Sequence, residues 1–544
     1  MTEHTPSGPT TGQSPRRATT EAPTKRRPRR VNRLAAGLAL TASAILGPAA
    51  PAAADGHPPV DLAAVDRLVS EGLAAASIPG AAIAITRGTE VVHVRGYGHD
   101  ANDVPVTENS RFRIASLSKS FTSLAVSQLV DAGRVSLDDP VVAHLPEFRL
   151  AGPRSADITV RQLLDQTSGM ADREVPDLRR RQPSTLAEAT TSLRSAHLVA
   201  APGTQFNYHN PNYQVAARLV EVVSGQPFDT YLREHVLQPA GMAASLTSYF
   251  DNQSVPGLTD GHVIAYGHRI PVSAPATFDG GAGDVVSTAA DMAHWLVIHA
   301  NGGRTADGTR LVSERSMTEM HTPSARSGYA LGWDTDGPAA APTRLLHSGS
   351  VLTFSAYQAV LPQSGYGIAI LFNSGSPFLR DQTAIFYGVL HLVEGADGTT
   401  VRPHVTTAVL DGVLGCLTVL VLALGARGGL TARRWATRHA RSRVRVVLGL
   451  LPSMAVLGLV AAFPDIAGRL AGGRDVGWVT AAYSWPALVV LLAAALIAAV
   501  TTLIARSWQL SRRVRNLADM PGRPASAAPR LTNTEKEPVL RSQS

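Results

Sequence analysis

Two chemically distinctive residue types are almost missing from this 544-residue chain, which has one cysteine, Cys416, and three lysines, Lys25, Lys119 and Lys536. A single thiol excludes an intrachain disulfide scaffold and the cysteine clusters of structural zinc sites. Aromatics make up 5% of the residues and charged residues 17%, whereas 44% are hydrophobic. That balance excludes a wholly disordered protein, and the length allows about two to four domains with at least one large core. The sequence shows no repeat of fixed period.

Because lysine is scarce, 47 of the 50 cationic side chains are arginine. The net charge of +8 would suit a nucleic-acid binder if it were spread over one surface, but it is segregated. Residues 1–34 carry eight Lys and Arg against Glu3 and Glu21, residues 427–445 carry seven Arg and no acid, and residues 506–544 carry eight against three acids. These segments hold +18, which leaves −10 for the remainder. Each basic segment flanks an apolar run, so the expected partner is a membrane and not nucleic acid.

The apolar runs separate by length. Leu34 to Leu46 is short for a span, follows a basic region and precedes Ala52-Ala53-Ala54, which predicts a signal peptide over 1–54 cleaved before Asp55. Arg29-Arg30 is followed by residues that match a twin-arginine export signal poorly. Val405–Ala426, Val446–Phe463 and Val476–Ala505 are long enough to cross a bilayer as helices. Export of the preceding domain would then put the seven-Arg loop in the cytoplasm, the segment from Pro464 to Asp475 outside, and the basic tail 506–544 back in the cytoplasm. All the basic segments fall on the cytoplasmic side, as the charge bias of membrane proteins requires. Asp411 lies toward the outer end of the first span, where a carboxylate is least costly.

Between these segments, residues 55–400 read as one α+β domain. Ala81–Thr86 and Val91–Arg95 form a predicted hairpin around Arg87-Gly88-Thr89-Glu90, and Thr353–Leu361 and Gly367–Phe372 form a second around Pro362-Gln363-Ser364-Gly365. Helical stretches lie between them, at Leu117–Val130, Tyr213–Val223 and Ala289–His299. The expected fold is an antiparallel sheet built from both ends of the domain around a mainly helical insertion, followed by three transmembrane helices over 401–505.

Lysine usage also points to chemistry. Lys119 is the only lysine between the two charged ends, and an amine can lose its proton when buried whereas a guanidinium effectively cannot. It stands three residues after Ser116, so on a helix the two side chains share a face and a neutral lysine could take the serine's proton. Serine is common enough here for the pair to arise by chance. Two further segments strengthen it: Tyr208-His209-Asn210 before a helix, and His347-Ser348-Gly349-Ser350 before the terminal strands.

In this order, these three elements resemble the penicillin-recognising serine hydrolases, which include class C β-lactamases, D-alanyl-D-alanine carboxypeptidases and related esterases. The resemblance extends from about Leu62 to Val393. It also takes in Ile158–Leu164 with Thr167-Ser168-Gly169-Met170, the run Gly280–Met292, Gly332-Trp333 and Gln238–Met242. It implies that Ser116 is the nucleophile of an acyl-enzyme, that Lys119 and Tyr208 share the proton transfers, and that Asn210 binds the substrate amide. It also implies that His347 and Gly349 line the substrate strand and that the backbone N–H groups of Ser116 and Ser350 form an oxyanion hole. His209, between two of these residues, is expected to point away. His347 stands where many members have lysine, which leans toward carboxypeptidase or esterase chemistry. Two departures are Gln166, where His is common, and Thr353, where Gly is frequent; the latter is expected to alter the strand rim of the pocket. The Gly280–Gly283 run lacks the Lys-Ser/Thr of a phosphate loop and reads as a turn before a capped helix. No metal and no cofactor are expected, because no histidine pair has ligand spacing with a third ligand.

The reading is therefore a multi-pass membrane protein with an extracytoplasmic serine hydrolase domain and a cytoplasmic C-terminus, acting on peptide or β-lactam amides or small esters. The alternative is a penicillin-binding sensor or interaction protein that does not turn over and signals through its helices. A pump or channel is disfavoured, because three spans with almost no buried polar residues offer no pathway.

Overall fold

The computed structural model describes residues 59–518 except 177, 376–379 and 397–406. The expected signal peptide and most of the basic tail lie outside the described residues. The strands are β1 (Gly80–Arg87), β2 (Glu90–Gly98), β3 (Phe112–Arg113), β4 (Leu246–Thr247), β5 (Gly261–Ala265), β6 (His268–Val272), β7 (Val285–Ser287), β8 (Asp334–Asp336), β9 (Arg344–Ser350), β10 (Ser355–Leu361) and β11 (Tyr366–Phe372). The main sheet has the order β2-β1-β11-β10-β9-β8, with antiparallel pairing throughout. β1 lies beside β11, with Ile83 opposite Ile370. The two ends of the domain therefore build one sheet, as their alternating apolar runs predict.

Burial on both faces of the sheet explains its composition. In β1, Ala82 and Ala84 face the helical insertion while Ala81, Ile83 and Ile85 face a second layer made by the helices Leu62–Ala76 and Arg380–Val393. β11 divides its side chains in the same way, sending Ala369 and Leu371 to the first side and Ile368, Ile370 and Phe372 to the other. The result is three layers with the sheet in the middle, and the small residues on the insertion side let the helix Ala289–Ala300 lie close against it. Thr288 caps that helix by accepting a hydrogen bond from Asp291 N, as expected of a turn that feeds a capped helix.

Beyond the α+β domain, three helices among the described residues are long and apolar enough to cross a membrane. They are Thr407–Leu430, Arg443–Leu470 and a third that begins at Pro486. The expected boundaries shift at two places. The second helix runs on through Pro464 to Leu470, and the third starts ten residues later than the hydropathy run. Trp485 is non-helical and Pro486 opens the helix. A proline disfavours helical backbone in the residue before it, so Val476–Trp485 becomes a turn and the short helix Trp478–Ser484. The first and third helices approach closely at Gly425 and Gly428, where an added Cβ would lie 2.5 Å from Ala498 Cβ and 2.6 Å from Thr502 Oγ1.

These helices meet the α+β domain at one end. Asp411 of the first helix is fully buried. Its carboxylate accepts hydrogen bonds from Tyr266 N in the β5–β6 turn at 2.6 Å and from Trp485 Nε1 at 2.9 Å. Its partners are thus protein groups of a hairpin turn and of the segment before the third helix. Tyr483 Oη donates to Ser273 O at 2.9 Å beside the same hairpin. The arginine-bearing helix Ala432–His439 follows the far end of the 24-residue first helix, about 36 Å away along its axis.

Candidate active site

Ser116 lies in a 3₁₀ turn that opens the helix Ser118–Asp131. Ala115 before it takes a left-handed conformation with φ of 50°, a strained backbone that turns the chain sharply into the helix. Ser116 itself is partly exposed, whereas Lys119, one turn on, is fully buried. β9 passes close by. A Cβ at Gly349 would lie 2.8 Å from Ser116 N and 2.7 Å from Ile114 O, so only glycine admits this approach. The strand that carries Ser350 is thereby held against the amide of Ser116. Ser350 and Ser348 are exposed, and alternation puts their side chains on the opposite face from buried His347.

Three oxygens lie within hydrogen-bond distance of the lysine amine. Nζ lies 3.1 Å from Ser116 Oγ, 2.9 Å from Asn210 Oδ1 and 2.8 Å from Ala282 O. The last two oxygens can only accept, whereas the serine hydroxyl can donate. A neutral amine satisfies all three by giving its two N–H bonds to Asn210 and Ala282 and turning its lone pair to the Ser116 proton. Ala282 belongs to the glycine turn, whose Gly281 carbonyl also accepts from Thr122 Oγ1 at 2.7 Å. The turn thus supplies a lysine acceptor that its sequence did not advertise. Asp284, buried two residues beyond Ala282, is pushed up to about 7 chiefly by burial, which reduces the negative charge it presents to Lys119 at neutral pH.

Tyr208 completes the cluster. Its ring centroid is 4.9 Å from Lys119 Nζ, and its hydroxyl interacts with Ser116. Burial pushes this phenol well above its ordinary range, opposed by Ser116 and by the charge of Arg474. Gln166 sets the segment in place. This fully buried residue, itself left-handed, accepts from Asn207 N through its carbonyl at 2.9 Å, and its Oε1 accepts from His209 N at 3.0 Å and Asn212 Nδ2 at 2.6 Å. The departure at position 166 is therefore a buried support for the tyrosine loop. His209 is buried against Asp172, with Nδ1 and Oδ1 2.7 Å apart, and turns away from Ser116 as expected.

His347 lies in the wall of the site, its ring 6.2 Å from that of Tyr208. Its Nδ1 is 2.7 Å from Ser348 O, which can only accept, so Nδ1 carries the proton. Nε2 is then an acceptor for Tyr329 Oη at 2.9 Å. Burial pushes the imidazole down to about 3, so it is neutral and both ring nitrogens are engaged. Thr353 corrects an expectation. It is fully buried beneath β5, where its carbonyl accepts from His262 N at 3.3 Å, and it does not form the rim of the pocket.

The sequence reading missed four residues around this cluster: Tyr329, Asp172, Asp475 and Arg474. None sits in a motif, and Arg474 and Asp475 come from the turn between the second and third apolar helices. Arg474 Nη1 donates to Tyr208 O at 2.7 Å, with the guanidinium 4.9 Å from the Tyr208 ring centroid.

The profile of the family described as "Beta-lactamase" matches residues 65–410. The chain is 30% identical over 324 residues to penicillin-binding protein 4 of Amycolatopsis lactamdurans, covering 55% of this chain and 81% of that one. It is 27% identical over 326 residues to protein flp of Staphylococcus aureus strain N315, covering 58% of this chain; it spans 64% of the length of flp. Among solved structures, an octameric penicillin-binding protein homologue from Pyrococcus abyssi aligns with a TM-score of 0.52 at 24% identity, over 65% of this chain and 81% of that one. A penicillin-binding protein from Bacillus halodurans aligns with a TM-score of 0.51 at 24% identity, over 59% and 98%. These two likenesses concern the fold. The profile match over more than half of the chain, together with the Amycolatopsis relative, places this chain in the Beta-lactamase family of penicillin-recognising serine hydrolases.

Proposed function

We propose that the chain is a membrane-anchored serine hydrolase that works through an acyl-enzyme at the outer face of the membrane. The observation that carries this reading is the meeting of Ser116, Lys119 and Tyr208, with the lysine fully buried and the oxygens of Asn210 and Ala282 accepting from its amine. Lys119, as a neutral amine, takes the Ser116 proton as Oγ bonds to the substrate carbonyl carbon. The backbone N–H groups of Ser116 and Ser350 receive the resulting oxyanion, and Asn210 holds the substrate amide. As the bond to the leaving amine or alcohol breaks, the proton passes to that group through Lys119 and Tyr208. Water then cleaves the ester to Ser116 and restores the hydroxyl.

Peptide or β-lactam amides and small esters are the substrate classes considered. The neutral His347 offers no positive charge where a lysine would, which favours carboxypeptidase-like or esterase substrates over efficient β-lactam turnover. Its Gly349-Ser350 neighbours form the strand against which a substrate lies. The segregation of arginine supports an outer hydrolase domain, an inner loop 427–445 and a cytoplasmic C-terminus.

The reading is tested with a fluorescent penicillin, a chromogenic cephalosporin and a p-nitrophenyl ester, comparing the full chain with Ser116→Ala. Labelling and turnover are expected to vanish in the variant, and unchanged turnover would refute the mechanism. A second reading, a penicillin-binding sensor, is favoured by the direct contact between the helix turn and Tyr208. Stable labelling without turnover would select it.

A further inference from the structure

The turn between the second and third apolar helices lies beyond the stretch that matches the family, yet it reaches the catalytic cluster. Its docking is specific. Asp475, almost fully buried, accepts from Leu178 N and Arg179 N, each at 2.9 Å, and pairs with the Arg179 guanidinium. Its own N–H donates to Asp172 Oδ2 at 2.9 Å. Asp172 Oδ1 binds His209, the neighbour of Tyr208. Burial would raise the Asp172 carboxyl, but His209, the charge of Arg474 and the Asp475 amide together hold it below the usual range, so it is an anion.

On this support Arg474 is aimed at Tyr208. Nε is 3.4 Å from Asp172 Oδ2, Nη1 donates to the Tyr208 carbonyl at 2.7 Å, and the guanidinium lies 4.9 Å from the ring centroid. Gln166 holds the amides on either side of Tyr208, and Arg474 holds its carbonyl and ring, so the residue is gripped from both directions.

We propose that Arg474 is a positioning residue of the active site, delivered by the membrane helices, which fixes Tyr208 against Ser116 and Lys119 and favours negative charge on its hydroxyl during proton transfer. The inference rests on the serine hydrolase reading and extends it. The membrane segment then becomes part of the catalytic unit as well as its anchor.

The test uses the full-length protein in detergent or liposomes, with acylation by a fluorescent penicillin and turnover of a p-nitrophenyl ester as readouts. Arg474→Gln is expected to lower the acylation rate and kcat about 10- to 100-fold with little change in KM, and Arg474→Lys to recover part of the loss. Because Arg474→Gln could act by releasing the turn, it is repeated with the turn locked by Arg179→Cys and Gly477→Cys in a Cys416→Ser background. A Cβ at 477 would lie 3.1 Å from Arg179 Cγ, close to the Cβ-to-sulfur spacing across a disulfide. Persistence of the defect in the locked protein supports the proposal. Recovery of wild-type rates on locking would reduce Arg474 to a tether and overturn it, as would failure of the cysteine pair to oxidise. If Ser116→Ala is inactive and Arg474→Gln matches wild type, the proposal falls while the hydrolase reading stands. If wild type neither labels nor turns over, or Ser116→Ala equals it, the hydrolase reading falls and takes the proposal with it.

Discussion

The chain contains two kinds of buried-looking helix, and they satisfy burial in opposite ways. The helix Ser118–Asp131 is enclosed by protein along most of its length although Ser118, Lys119, Ser120, Thr122, Ser123 and Ser127 are all polar. Most of these find partners nearby: Ser118 and Ser120 hydroxyls donate to the carbonyls of Ala115 and Leu117, Thr122 donates to Gly281 and Ser123 meets Tyr213 Oη. The three later helices are almost wholly apolar, yet they leave Val419 69% and Val444 67% exposed. Protein surroundings supply hydrogen-bond partners, so a core helix can carry reactive polar groups. Lipid supplies none, so a spanning helix must be apolar and keep polar groups such as Asp411 for its protein contacts. Hydropathy alone therefore identifies the helices that do no chemistry.

The contrast is broken most severely at Lys119. Lys119→Arg keeps the charge but removes the capacity to act as a neutral base. Ester turnover and penicillin acylation are expected to fall about 10²- to 10⁴-fold, measured beside a melting curve to verify folding. An arginine that retained wild-type turnover would show that Lys119 serves only as a cation.

A milder comparison makes the same cut on both kinds of helix. Leu124 is fully buried and Leu420 is 53% exposed. Leu124→Ala is expected to destabilise the hydrolase domain by about 2–5 kcal/mol, whereas Leu420→Ala should leave its unfolding within about 0.5 kcal/mol of wild type. Denaturant titration of the full chain in detergent, followed by tryptophan fluorescence, measures both. Equal losses would mean that the first apolar helix is packed in protein and not in lipid.

The smallest effect expected is a dependence on pH confined to the hydrolase interior. His299 and His321 lie with Nδ1 and Nε2 2.9 Å apart, near Trp295 and Trp333. Burial lowers both, His299 further through the neighbouring His321, and His321 falls to about 4. Between about 6.5 and 4 the unfolded chain binds protons that the folded one refuses. The stability contributed by these histidines is therefore complete above about 6.5 and is lost as pH falls through 4. The melting temperature of the domain should decline over that range, and His321→Phe should flatten part of the decline. An identical acid slope in wild type and variant would remove the pair from the account.

The sequence made some of this legible because the signals are local. Ser116 and Lys119 share one helical turn, Tyr208 and Asn210 share one short segment, and strand alternation at both ends of the domain predicts the sheet. Gln166 stood out as a departure, but its work required Asn207, His209 and Asn212 to come within hydrogen-bond distance. The start of the third helix was misjudged because hydropathy runs smoothly across Trp485-Pro486 while the backbone cannot. Thr353 was misread because its place in the turn between β9 and β10, and not its residue type, buries it beneath β5.

Residue types and short spacings were sufficient for the pairing of Ser116 with Lys119, the three apolar helices and the family likeness, since each depends on neighbours a few positions apart. Tertiary structure alone decided that His347 is neutral with both nitrogens occupied, that Asp411 joins a helix to a hairpin, and that Arg474 lies against Tyr208 from 266 residues away. The physical reason is the same in each case. A side chain's charge and contacts depend on what the fold packs around it, and no periodicity records which distant turn will arrive there.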